Sequence, residues 1–83
     1  MTALEVQALI EAGLPGAQVQ VGSDDETHFE AVIIAPQFSG KRIIQRHQLV
    51  YGALGPRMGR EIHALSIQAY APDEAAADPQ RRN

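Results

Sequence analysis

The sequence predicts an α+β domain built as one three-stranded mixed sheet with helices on one face. Three observations carry that expectation. Two alternating segments, 17–21 and 28–35, are separated only by a polar, acidic stretch, which is the pattern of an antiparallel hairpin. Segments of helical period lie before and after the hairpin. A third alternating segment, 62–70, returns only after the second helix, and a strand reached through a helical crossover pairs parallel with its neighbour.

Each element has a local reason. Thr2 and Glu5 have capping-box spacing, and Leu4, Leu9, Ile10 and Leu14 follow as an apolar pattern that Gly13, Pro15 and Gly16 end, giving a first helix. "AQVQV" alternates with Val19 and Val21 on one face, and "GSDDET" interrupts it with turn-forming and acidic residues. "HFEAVIIA" restores strand character. Residues 36–40 are a loop, after which Ile43, His47, Val50 and Leu54 recur at helical spacing with Tyr51 beside them. Gly55 and Pro56 stop that helix and leave "RMGRE" as a short turn or helical fragment. The third strand places Leu65, Ile67 and Ala69 on one face, with His63 in the same register. Pro72 then opens a short last helix over 73–77, and "DPQRRN" reads as frayed.

With 83 residues, 45% of them hydrophobic and 20% charged, the chain suits one domain over 1–78 followed by a flexible tail at 79–83. A domain of this size buries roughly 60% of its unfolded surface, so function is expected on the outside rather than in a deep cavity. The absence of cysteine removes disulfides, thiolate nucleophiles and any self-contained Cys-type metal or iron–sulfur site. The acidic N-terminal stretch lacks the cationic start of a signal peptide, and no run approaches the ~20 apolar residues of a membrane span. A cytoplasmic location without membrane contact is the expectation.

Net charge is −3, yet charge is segregated. No Asp or Glu occurs from Ala31 to Arg60, where Lys41, Arg42, Arg46, Arg57 and Arg60 gather, while acids cluster at 24–26 and again at Asp73, Glu74 and Asp78. Lys41 and Arg42 fall where the second helix begins, an end that already carries positive dipole, so this basic stretch suits either an anionic ligand or a solvated face. As a nucleic-acid surface it would contact phosphates through Lys41, Arg42, Arg46 and Arg57, but Phe29, Phe38, Tyr51 and Tyr70 all fit core patterns and leave little for base stacking. No nucleophile–base pair, phosphate loop or paired carboxylate stands in a plausible cleft, so an enzyme is not expected. Of the histidines, His47 fits a packed core edge, and His28 begins the second strand beside the acidic turn. For His63 at the head of the third strand, a hydrogen-bonded structural imidazole and a metal ligand both fit.

The run "HFEAVIIAPQFSGKRIIQRHQLVYGAL" resembles the strand, F-x-G turn and R-H-x-x-V-Y helix of the BolA family. "EIHALSIQAYAPDE" is similar to its I-H-A-x-x-I-x-x-x-T-P-x-E segment. The nearest likeness is to the family's short bacterial, IbaG-like branch. The resemblance implies a class II KH-like fold, α-β-β-α-α-β with a short closing helix. It further implies partnership with a monothiol, CGFS-type glutaredoxin across a bridging [2Fe-2S] cluster, in iron–sulfur assembly, trafficking or iron and stress sensing. There the glutaredoxin cysteine and glutathione supply thiolates, and the BolA-like protein supplies nitrogen or sulfur ligands. One maps onto His63; the other belongs to the loop between the first two strands, where His28 is available and Asp24 or Asp25 takes earlier positions. Histidine can replace cysteine on one iron of such a cluster, as in Rieske centres. The chain departs from the family at Ala71, where Thr is usual, and at Ala75, where Trp is frequent. The same resemblance carries an alternative, a DNA-binding transcriptional regulator reading through the basic second helix. A monomer or weak homodimer fits either role.

Overall fold

The computed structural model describes residues 1–77, and the expected tail at 79–83, with the domain end at 78, lies outside the described residues. In chain order the elements are α1 (Ala3–Gly13), β1 (Gln18–Gly22), β2 (His28–Ile34), α2 (Ile43–Leu54), β3 (Ala64–Tyr70) and α3 (Pro72–Ala77). Single 3₁₀ turns at Pro36–Phe38 and Gly55–Arg57 flank α2, the second being the short turn expected after Pro56. The sheet order is β1-β2-β3: β2 is central, antiparallel to β1 and parallel to β3. This is the mixed sheet the crossover predicted.

Register follows from alternation. Val19 and Val21 of β1 sit opposite Ile33 and Ala31, and Leu65, Ile67 and Ala69 of β3 pair with Phe29, Ala31 and Ile33. All these side chains therefore share the helix-covered face. Along β2 the odd positions Phe29, Ala31 and Ile33 are buried, and the core continues through Val6, Ile10 and Leu14 of the α1 region and Val50 and Leu54 of α2. β3 is an edge strand whose inward residues are only partly covered.

The α1 start is as predicted: Glu5 N–H donates to Thr2 Oγ1 at 3.2 Å while Thr2 N–H donates to Glu5 Oε1 at 2.8 Å, a complete capping box. The buried face matches the expected one at Ile10 and Leu14 and departs from it at the start of the helix. Leu4 is 74% exposed, and the inward stripe is Val6, Ile10 and Leu14 at spacings of four. Near the C-terminus of α1, Gly13 lies against Ala53 so closely that a Cβ at Gly13 would stand 2.5 Å from the Ala53 Cβ. The two helices cross where neither presents a large side chain.

In α2 the correction is larger. Ile43, expected to lead the inward stripe, is 71% exposed, and Ile44 beside it is 66% exposed. The buried residues are Arg46, Val50 and Leu54. Arg46 takes a core-facing position because each of its three guanidinium nitrogens finds an acceptor. Nε donates to the Lys41 carbonyl at 2.9 Å, Nη1 to the Ala69 carbonyl at 3.1 Å, and Nη1 and Nη2 to the two Glu74 oxygens at 2.6 and 2.9 Å. It also lies 5.9 Å from the centroid of Phe38. These bonds hold α3 to the body of the domain. Ala71, just before α3, has only a methyl and so offers no side-chain acceptor as a cap, yet its N–H donates to Glu74 Oε1 at 2.9 Å. β3 begins at Ala64 rather than at Ile62, which is fully buried and makes an isolated bridge with Met58.

Candidate metal centre at the heads of β2 and β3

The loop between β1 and β2 is organised by two short side chains. Asp25 Oδ1 accepts the backbone N–H groups of Thr27 at 3.0 Å and His28 at 2.9 Å. Ser23 Oγ donates to the His28 carbonyl at 2.6 Å and accepts the Glu26 N–H at 2.9 Å. Asx and Ser side chains replace backbone partners in this way in tight turns. Glu26 absorbs the reversal with φ of 59°, in the left-handed region that non-glycine residues seldom enter. The remaining Asp25 oxygen, Oδ2, lies 2.7 Å from His28 Nδ1. Hydrogen bonds from the His28 backbone, the His28 ring and the Thr27 backbone hold the Asp25 carboxyl far below the ordinary carboxylate range.

The other strand head is set by Ile62. Its burial anchors the chain, with Gly59 N–H donating to the Ile62 carbonyl at 2.8 Å and Ile62 N–H to the Arg57 carbonyl at 3.1 Å. The next residue, His63, emerges exposed. The Thr27 carbonyl then accepts from both His63 N–H at 3.3 Å and Ala64 N–H at 3.4 Å, and His28 pairs with Ala64 in the ladder. Parallel pairing thus brings the backbones of His28 and His63 to the same end of neighbouring strands. Alternation gives the two histidines opposite parity, His28 with Ala64 and His63 with Leu65.

An open cleft of about 600 Å³ lies at this end of the sheet, lined by Gly22, Ser23, Asp25, His28, Glu30 and Ser66 among others. His63 does not line it. Among the described residues no three His, Asp or Glu side chains come together to hold a metal ion. Two exposed histidines on neighbouring strand heads, with side chains of opposite parity, do not make a self-sufficient site; each offers at most one donor to a set that a partner would complete.

The basic residues are dispersed. Lys41 and Arg42 are exposed at the start of α2, where Arg42 N–H donates to Gln45 Oε1 at 3.0 Å. Arg46, expected as a surface anion contact, is 7% exposed and committed to Glu74 and two carbonyls, so it is withdrawn from that role. Arg57 is half-buried beyond the far end of α2, roughly 18 Å of helix away from Lys41. The four do not form one patch. His47 is the partly buried core-edge residue expected, with its ring 6.4 Å from that of Tyr51 in an edge-on arrangement. No described helix is long and apolar enough to cross a membrane.

Sequence reasoning left two parts of this architecture unread. Asp25 and Ser23 stand out only as polar turn residues, although an Asp three positions before a His in a turn is a local signal for a side-chain pair. Glu74 stands out in the sequence as one of the late acids and as the last residue of the T-P-x-E resemblance, but its role does not, because its partner is 28 positions away in sequence.

A family model described as BolA-like protein matches residues 10–74. The chain belongs to the BolA family. Within it, this BolA-family protein is 40% identical over 63 residues to SufE-like protein 1, chloroplastic/mitochondrial, of Arabidopsis thaliana, covering 76% of this chain and 17% of that one. It is 32% identical over 54 residues to the DNA-binding transcriptional regulator BolA of Escherichia coli, covering 65% and 51%. A solved BolA homologue from Coxiella burnetii superimposes with a TM-score of 0.83 at 43% identity, over 92% of this chain and 97% of that one. The small α+β fold with its mixed sheet is therefore the family's own. The chain spans about half or less of the length of these two curated relatives.

Proposed function

We propose that this BolA-family protein is a cytoplasmic, non-enzymatic accessory protein that pairs with a monothiol, CGFS-type glutaredoxin across a shared [2Fe-2S] cluster. The observation that supports the reading is the Thr27 carbonyl, which accepts from His63 N–H and Ala64 N–H and so brings the backbones of two exposed histidines, His28 and His63, to the same end of neighbouring strands. His63 and His28 are the nitrogen donors. The thiolates come from the glutaredoxin cysteine and glutathione, because this chain has no cysteine of its own. The match to a limited part of a longer SufE-like protein supports a module that works attached to or beside other proteins.

Mixing the protein with cluster-loaded glutaredoxin should change the visible absorption and circular dichroism, and His63→Ala should diminish that change. An unaltered spectrum with the intact protein would sink the proposal.

A second reading, DNA binding through α2, draws on the name of the Escherichia coli relative and on the exposure of Lys41 and Arg42. It has lost Arg46 to an internal ion pair and Arg57 to distance. It predicts an affinity that falls steeply with salt and weakens on Lys41→Gln and Arg42→Gln. Absence of a shift at low salt removes it.

A further inference from the structure

Resting on the glutaredoxin reading, we propose that Asp25 is a positioning residue: it fixes the His28 ring with the proton on Nδ1, so that Nε2 is the donor this loop offers to a metal. An ionised carboxylate only accepts hydrogen bonds, and Asp25 Oδ2 is 2.7 Å from His28 Nδ1, so the nitrogen facing it carries the proton. In the neutral ring the lone pair then lies on Nε2. A histidine ligand typically has this geometry, with the second ring nitrogen donating to a carboxylate that orients the ring and raises its basicity.

Two features make the arrangement more than a chance surface pair. His28 and Asp25 side chains are 68% and 52% exposed, and an exposed ion pair alone contributes too little to hold one geometry. Here the carboxylate is held independently of the ring, by the Thr27 and His28 backbone N–H groups on Oδ1. Ser23 fixes the same turn from the other side, its single hydroxyl proton going to the His28 carbonyl at 2.6 Å rather than to Asp25 Oδ1 at 3.4 Å. The same bonds favour His28 over Asp25 as the donor this loop offers. Asp25 already uses Oδ1 for two backbone N–H groups and one lone pair of Oδ2 for the ring, so a metal on Asp25 would draw on the same carboxylate that shapes the turn. His28 gives up nothing, since Nε2 has no protein partner in the described hydrogen bonds.

The test is the tautomer. Long-range proton–nitrogen correlation spectra of the nitrogen-labelled, metal-free protein, at a pH where the ring is neutral, should show His28 protonated on Nδ1 and bare at Nε2. In Asp25→Asn, the amide oxygen can keep the two backbone N–H groups and turn its NH₂ toward the ring, so the dominant form should invert to protonation on Nε2. The Thr27 and His28 backbone amide signals report that the turn survives. A wild-type ring protonated mainly on Nε2 overturns the proposal whether or not the variant folds, and so does an unchanged tautomer in a folded variant. Failure of the cluster reading is recognised separately, as an Nδ1-protonated ring in a protein that leaves the glutaredoxin cluster spectrum unaltered.

Discussion

The Arg46 guanidinium and the Glu74 carboxylate meet in a fork of two N–H···O bonds, 2.6 and 2.9 Å long, that joins the first turn of α2 to the first turn of α3. The planar fork of arginine suits this task and lysine does not reproduce it.

Arg46→Met is expected to destabilise the domain by roughly 2–4 kcal/mol, since it strands the Lys41 and Ala69 carbonyls as well as Glu74. Arg46→Lys should recover only part of that loss. Urea denaturation of the three proteins measures it, and a loss for Arg46→Met within the scatter of surface substitutions would contradict the internal role.

Glu74 gives the pair a pH signature. Hydrogen bonds from Arg46, then from the Ala71 N–H, lower its carboxyl from 4.5 to about 2. A lowered acid stabilises the fold above its unfolded value and stops doing so as pH falls through its folded value. The stability difference between the wild type and Glu74→Gln should therefore be full at neutral pH and shrink between about 4.5 and about 2. Thermal melts across that range check it; a constant difference would place the acid sensitivity elsewhere.

Gly13→Ala should be destabilising although the residue is at a helix end, because the new methyl would meet Ala53 Cβ at 2.5 Å. Overpacking of this kind costs roughly 1–3 kcal/mol. Adding Ala53→Gly removes the opposing methyl, so the double variant should be more stable than the two single losses predict by addition. Strict additivity would show that the helices do not meet there.

Glu26 holds a left-handed backbone conformation with φ of 59°. Replacement by Asn, which tolerates that region better, should raise stability by a few tenths to about 1 kcal/mol. A lower denaturation midpoint for Glu26→Asn would mean that the Glu26 side chain contributes more than its backbone costs.

Ile43 provides the counterpart in α2. At 71% exposure, Ile43→Gln should change stability by no more than about 0.5 kcal/mol, whereas Val50→Ala, at a fully buried position, should cost on the order of 2 kcal/mol. Equal losses would restore the stripe that periodicity suggested.

That contrast shows where the sequence was legible. The Thr2–Glu5 cap, the hairpin, the parallel third strand and the proline-opened α3 all follow from local patterns, and local patterns are what one sequence displays. Val50 and Leu54 of α2 face inward as periodicity predicts, but its first turn was misread: the inward place expected for Ile43 is taken by Arg46, whose partners Ala69 and Glu74 lie on remote segments. Hydrophobic rank could not anticipate a cation satisfied by backbone carbonyls and a tertiary carboxylate. At the candidate centre, His63 and His28 were visible as strand-head imidazoles. Their adjacency required knowing that β2 is central, and the Asp25–His28 pair required the shape of the turn.

The topology also separates the two strand heads by the chain length each must close. The loop that holds His28 and Asp25 closes over a few residues, whereas the Thr27–His63 contact must wait for the whole of α2 to be spanned. Closing a short loop costs little conformational entropy and closing a long one costs more. Bringing His63 to the Thr27 carbonyl thus carries a larger loop-closure cost than the turn that seats His28, so any opening that undocks β3 should separate the two strand heads while leaving the Asp25–His28 turn closed.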